Sequence, residues 1–180
     1  MSRCPFETLG VEPRFDLDLR ALEQNHRALS RTLHPDRHAA GTGTERRLAL
    51  SHAIDVNDAL RVLKDPVRRA EALFARLGVA VGDGREPKPS QALLLEMMEA
   101  REELADAARL RDLATIRRLA ADIARRRDAV LATLTAAFEA RSKESLECAI
   151  PALGELRYAQ RFAEEAAAFE EALEDAPSHA

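Results

Sequence analysis

Apolar residues recur three and four positions apart along most of the chain, the spacing of one buried face of an α-helix. Leu19, Leu22, His26, Leu29 and Leu33 form the first long stripe. Asp18 stands before it as an N-cap, and Pro35 stops it. A short helix over Pro5–Leu9 precedes it, closed by Gly10. A polar, glycine-bearing loop runs through Gly43, and Thr44 is the expected cap of a third helix carrying Ala49, Ala53, Val56, Leu60 and Leu63. Two helices with matching stripes and one connecting loop predict an antiparallel hairpin. Asp65-Pro66 restarts the chain in the N-cap and first-turn pattern. The fourth helix then runs to about Leu77, with Ala70, Leu73, Phe74 and Leu77 facing inward.

Glycine and proline cluster from Gly78 to Pro89 and break the periodicity. Beyond them three longer helices are predicted, near 90–108, 110–140 and 143–175. The first carries a complete stripe of Leu93, Met97, Ala100, Leu104 and Ala108. The second would bury Leu113, Ile116, Ala120, Ile123, Val130, Leu134 and Phe138. The third would bury Leu156, Ala159, Phe162, Ala166, Phe169 and Leu173, with Pro151 marking a kink or a late start. The expected organisation is an all-α chain: residues 1–78, a linker over 79–89, and a three-helix bundle over 90–180.

Composition sharpens this picture. The 180 residues include 35 Ala and 25 Leu but only 11 Val plus Ile, and aromatics are 4%. That balance suits helices and disfavours sandwiches, barrels and parallel sheets. The net charge of −4 gives no broad case for nucleic acid binding. It averages two unlike halves: residues 1–78 hold 13 basic and 11 acidic groups, and residues 79–180 hold 14 and 20. No run reaches the roughly 18 apolar residues of a membrane span. The start of the chain lacks an apolar signal region, and Cys4 and Cys148 have no paired spacing, so a reducing cytoplasm is expected.

Two constellations carry candidate chemistry. His34-Pro35-Asp36 sits between the hairpin helices. Arg27 and Arg31, four apart and off the apolar stripe, precede it, and Arg37 follows. Such a local positive patch can steer toward an acidic partner surface. Alone, the tripeptide also fits an ordinary turn beside solvated arginines. His34, Asp36 and His38, with His26 and His52 as further candidates, raise a metal-dependent enzyme as an alternative, but ligands need convergent geometry and His26 falls on the apolar stripe. The second constellation is Leu94, Leu95 and Met98, surplus to the bundle stripe and continued by Glu99, Glu102 and Asp106. An apolar cluster with an acidic margin fits a docking site for a protein with a basic rim. It equally fits a stripe broadened by burial on two sides. Arg117-Arg118 and Arg125-Arg126-Arg127 suit a solvated face paired to neighbouring helices, with no aromatic platform for nucleic acid.

The tripeptide, its flanking arginines, Asn57, Leu60, Leu63 and the string Asp65-Pro66-Val67-Arg68-Arg69-Ala70-Glu71 resemble the J-domain, the module by which co-chaperones engage DnaK-type chaperone ATPases. His26 and Leu33 depart from it, since J-domains often place an aromatic at those positions. With Met98-Glu99-Ala100-Arg101-Glu102-Glu103-Leu104 added, the whole chain resembles the HscB family of iron–sulfur cluster co-chaperones. The resemblance implies an L-shaped molecule without catalytic activity, cofactor or metal of its own. Its J-domain half would engage an HscA-type chaperone through His34, Pro35, Asp36, Arg27, Arg31 and Arg37. Its bundle would bind an IscU-type cluster scaffold through Leu94, Leu95, Met98, Glu99, Glu102, Asp106 and Tyr158, the alternative being a J-domain co-chaperone for a different client. Tyr158 lies off the last helix's stripe, so it is either partly displayed or covering a helix seam.

Overall fold

The computed structural model of the chain describes residues 4–33, 42–81 and 91–175. These form seven α-helices and no strand among the described residues: α1 Pro5–Leu9, α2 Leu19–Thr32, α3 Gly43–Lys64, α4 Pro66–Arg76, α5 Gln91–Leu110, α6 Leu113–Ala140 and α7 Lys143–Glu174. They divide into two compact units, Met1–Val81 and Gly82–Ala180.

In the first unit α3 packs against α1, α2 and α4. Phe6, Leu9, Phe15, Leu22, Val56, Leu63, Leu73 and Phe74 are buried among them. Asp18 caps α2 by accepting from the amides of Arg20 and Ala21 at 2.8 and 3.2 Å. The cap of α3 is Thr42 rather than Thr44. Thr42 Oγ1 accepts from the Glu45 amide at 3.3 Å, and the Glu45 carboxylate accepts from the Thr42 amide at 2.6 Å. Glu45 stands three residues after Thr42, which is the spacing a reciprocal capping box requires, so Thr44 falls inside the first turn. The outer members of two predicted stripes are displaced from the core. Leu19 opens α2 and Leu77 ends α4, and both are exposed. A terminal turn has no neighbouring turn of its partner helix to pack against.

Asp65 joins α3 to α4 with no intervening loop. It is the C-cap of one and the N-cap of the other. Its carboxylate accepts from the amides of Val67 and Arg68 at 2.8 and 3.1 Å. Pro66 occupies the first position of α4, where its missing N–H leaves nothing unsatisfied. Arg69 then turns back. Its Nη1 donates to the Leu63 carbonyl at 2.8 Å, and its guanidinium lies 5.0 Å over the Phe15 ring. Burial lowers the Arg69 pKa, while Asp16 and Asp65 pull in the opposite direction. Cross-links complete the hairpin: His26 Nε2 meets Asn57 Oδ1 at 2.8 Å, and Lys64 donates to Glu23 at 2.8 Å.

In the second unit α6 and α7 form a long antiparallel hairpin. Their 28 and 32 residues span roughly 42 and 48 Å at about 1.5 Å per residue, whereas the 20 residues of α5 span only about 30 Å. Leu104 and Ala107 of α5 pack with Ile116, Leu119, Ile123, Ala159, Phe162 and Ala166. The uncovered hairpin end buries its own cluster, including Val130, Leu134, Phe138, Leu146, Leu153 and Leu156. α7 begins at Lys143 and runs through Pro151, so the proline does not mark a late start. Pro151 and Glu147, whose carbonyl loses its intrahelical donor, are both exposed, and water can serve that carbonyl. Phe169 and Leu173 are half-buried at the hairpin's end.

Ion pairs lock α5 in register. Arg126 reaches Glu96 of α5 at 3.2 Å and Glu155 of α7 at 3.5 Å. Arg118 pairs with Glu103, and Arg101 with Glu165 at 3.4 Å. Arg117 ties α6 to Glu170 and Glu174 of α7. Arg117, Arg118 and Arg126 thus pair α6 with its neighbours, whereas Arg125 and Arg127 pair within α6, with Asp122 and Asp128. Tyr158 adds a link from α7, donating its hydroxyl to the Met97 carbonyl at 3.2 Å. Burial raises the Tyr158 pKa, with Arg101 and Arg126 opposing the shift.

Two outcomes follow. Replacing Arg69 by Ala removes a charged donor and its ring contact, and should cost about 2 kcal/mol. A urea midpoint that falls with an unchanged slope would show this; an unmoved midpoint would rule the anchor out. Tyr158 is the only tyrosine and there is no tryptophan, so phenolate absorbance reports this one ring. Its native titration should lie above the ordinary value near 10 and return there in denaturant. The folded state favours the neutral phenol, so this stabilisation is complete below about pH 10 and is lost as pH rises through the folded pKa.

Candidate functional site

The stripe of α5 decides what the rest of that helix can do. Leu104 and Ala107 are buried, and Leu93, Met97, Ala100 and Ala108 are half-buried on the same side. Leu94, Leu95 and Met98 lie on the opposite side and are 45%, 57% and 60% exposed. They are therefore not part of a broadened core stripe. At roughly 100° per residue, positions 94, 95, 98, 102 and 106 share one arc of the helix. Glu99, Glu102 and Asp106 are all exposed along it. Asp106 pairs with Arg109 at 3.0 Å, while Glu99 and Glu102 make no ion pair among the described residues. The other acids of α5, Glu96 and Glu103, are spent on Arg126 and Arg118. Glu96 and Glu103 thus pair across helices, Asp106 pairs within α5, and Glu99 and Glu102 face solvent.

Tyr158 is not displayed with this patch. It is half-buried on the far side of α5, bonded to the Met97 carbonyl and 5.9 Å from the Phe162 ring. It borders a groove of about 510 Å³ whose floor includes Ala100, Leu119, Ile123 and Phe162, with Glu103, Arg118 and Arg126 at its rim. Its position between helices supports the seam-covering role. Any influence on the patch passes through the backbone of α5.

In the first unit, His34, Pro35, Asp36 and Arg37 lie outside the described residues, as does His38. Arg27 and Arg31 are exposed on α2. Arg27 pairs with Glu23 at 3.5 Å, and Arg31 has no ion pair among the described residues. Arg20, also exposed, shares their helix face at seven and eleven residues' distance. That spacing was available in the sequence and adds one basic group to the face. Of the histidines raised as metal ligands, His26 is engaged by Asn57, with Ser30 Oγ at 3.4 Å. No cluster of three metal-ligating side chains occurs among the described residues. Cys4 and Cys148 are both free. No helix of the described residues is long and apolar enough to cross a membrane.

Comparison with known proteins bears on both units. A family model described as "HSCB C-terminal oligomerisation domain" matches residues 89–167. The co-chaperone protein HscB homologue of Vibrio vulnificus is 38% identical over 101 residues, covering 56% of this chain and 59% of the relative. That of Shewanella amazonensis is 39% identical over 101 residues, 56% of this chain and 58% of the relative. The chain thus spans somewhat under two thirds of the length of these curated relatives in the matched regions. Among solved structures, chaperone HscB from Vibrio cholerae superposes with a TM-score of 0.82 at 29% identity, covering 94% of this chain and 98% of the other. Human co-chaperone HscB shares the fold at a TM-score of 0.82 and 24% identity, over 93% and 82% of the two chains. The matched C-terminal domain, the curated relatives and the solved structures together support an HscB-type co-chaperone.

Proposed function

We propose that this chain is a cytoplasmic co-chaperone that brings an IscU-like cluster scaffold to an HscA-type chaperone and stimulates its ATPase. The observation that carries this is the outward patch of Leu94, Leu95 and Met98, with Glu99 and Glu102 beside it. A fold gains nothing by leaving three large apolar side chains more than two-fifths exposed on one helix face. A partner that covers them gains their full burial. The carboxylates select a partner with a basic rim, and Met98 supplies an adaptable contact.

The first unit plays the complementary part. The first unit acts as a J-domain, whose basic α2 face meets an acidic chaperone surface and whose His34-Pro35-Asp36 motif triggers ATP hydrolysis. The family resemblance and the exposed Arg20, Arg27 and Arg31 support this. The chain does not itself cleave ATP in this scheme. It raises the effective concentration of scaffold at the chaperone by holding one partner on each unit. The cluster on the scaffold is cargo.

Two measurements test the two halves separately. Leu94→Ala/Leu95→Ala/Met98→Ala should weaken scaffold affinity at least about 100-fold, or about 2.7 kcal/mol. Bundle helicity should be unchanged, because none of the three is in the core. Wild-type affinity in this variant would exclude the patch. His34→Gln should abolish ATPase stimulation while scaffold affinity stays at the wild-type level. Undiminished stimulation would exclude the J-domain role.

A further inference from the structure

Like α5, α3 carries large apolar side chains outside its inward stripe: Leu48, Leu50 and Ile54. The inward stripe of α3 uses Ala49, Val56, Ala59 and Leu63, all buried. Leu50 and Ile54, one turn apart, are 57% and 54% exposed. They belong to a stripe of spacing three and four that reads Arg46, Leu50, Ile54, Asn57, Arg61 and Lys64. Two of its members are fixed toward α2: Asn57 by His26 and Lys64 by Glu23. Glu23 also pairs with Arg27. The stripe therefore flanks the same outer face of the hairpin that carries Arg27.

Its charges are compensated at the C-terminal end and not at the N-terminal end. Glu23 serves Lys64 and Arg27, and Asp58 serves Arg61 at 2.8 Å. Arg31 and Arg46 have no ion pair among the described residues. Arg46 also stands at the start of α3, where the helix dipole disfavours a cation. An apolar pair inside a basic margin is complementary to an apolar ridge inside an acidic one.

We propose that Leu50 and Ile54 form the apolar centre of the chaperone-docking face, with Arg46, Arg31 and Arg27 at its margin. The occupant is an acidic surface of the chaperone ATPase that places an apolar side chain against the pair. This rests on the J-domain role proposed above. It assigns affinity to α3, apart from the stimulation supplied by the His34-Pro35-Asp36 motif. The margin accelerates encounter and makes it salt-sensitive, and the pair slows release.

The test titrates the full chain against the ATPase of an HscA-type chaperone. Leu50→Gln/Ile54→Gln should raise the half-saturating concentration about ten-fold and leave maximal stimulation, helicity and scaffold affinity unchanged. Arg46→Glu, which alters no core residue, should raise it less and flatten its dependence on salt. His34→Gln runs in parallel: if it abolishes stimulation while the Leu50/Ile54 variant titrates like wild type, the inference fails and the J-domain role stands. If His34→Gln stimulates fully, the J-domain role fails and takes the inference with it. Sedimentation of the same samples covers the remaining occupant. A wild-type dimer that the double variant dissociates, with stimulation unchanged, would give the face to a second copy of the chain and overturn the proposal.

Discussion

Burial of Leu104 and Ala107 against the α6–α7 hairpin is the constraint that sets which face of α5 meets solvent. A helix has one circumference. Once those two residues face Ile116, Ile123 and Phe162, the arc with Leu94, Leu95 and Met98 must face water. Three of the inward side chains, Ala100, Ala107 and Ala108, are small, so apolar packing alone would hold the rotation of α5 loosely. Arg126, Arg118 and Arg101 narrow it through Glu96, Glu103 and Glu165, and the Tyr158 hydroxyl fixes the height of Met97. Exposed pairs of this kind contribute little individually, about 0–1 kcal/mol each. Their value here is directional, because slipping α5 by one residue would rotate its outward face by about 100°.

The same economy runs through the first unit. Its buried aromatic residues are Phe6, Phe15 and Phe74, and Arg69 ties Phe15 to the end of α3 through one guanidinium. The string Asp65-Pro66 through Ala70, part of the family resemblance, has a structural account residue by residue: cap, first turn, anchor and a fully buried small side chain. Its place in the resemblance therefore says more about fold than about partner contact. In the proposed J-domain role, contact with the chaperone falls to the exposed Arg20, Arg27 and Arg31 and to the His34-Pro35-Asp36 motif.

Helix number and order were legible from periodicity, because Ala and Leu at intervals of three and four admit little else. Errors gathered where tertiary context decides. Thr42 and Thr44 are both plausible caps, and only the position of Glu45 relative to each separates them. Leu19 and Leu77 fit their stripes, yet a stripe does not state where the partner helix ends. Tyr158 could be placed off its stripe but not against the Met97 carbonyl, since that needs the height of α5 along α7. Leu50 and Ile54 were within reach: both stand off the inward stripe of α3, and the subtraction applied to α5 would have found them.

The junction at Asp65 has a kinetic meaning. Because one residue terminates α3 and begins α4, neither helix can fray there without disturbing the other. Arg69 then bonds the last turn of α3 from the first turn of α4, so opening α4 also frees a carbonyl of α3. The two helices share a cooperative unit, in which amide protons on both sides of residue 65 exchange through a common opening rather than separately. The long helix that carries Leu50 and Ile54 near its middle is thereby clamped at its C-terminal end.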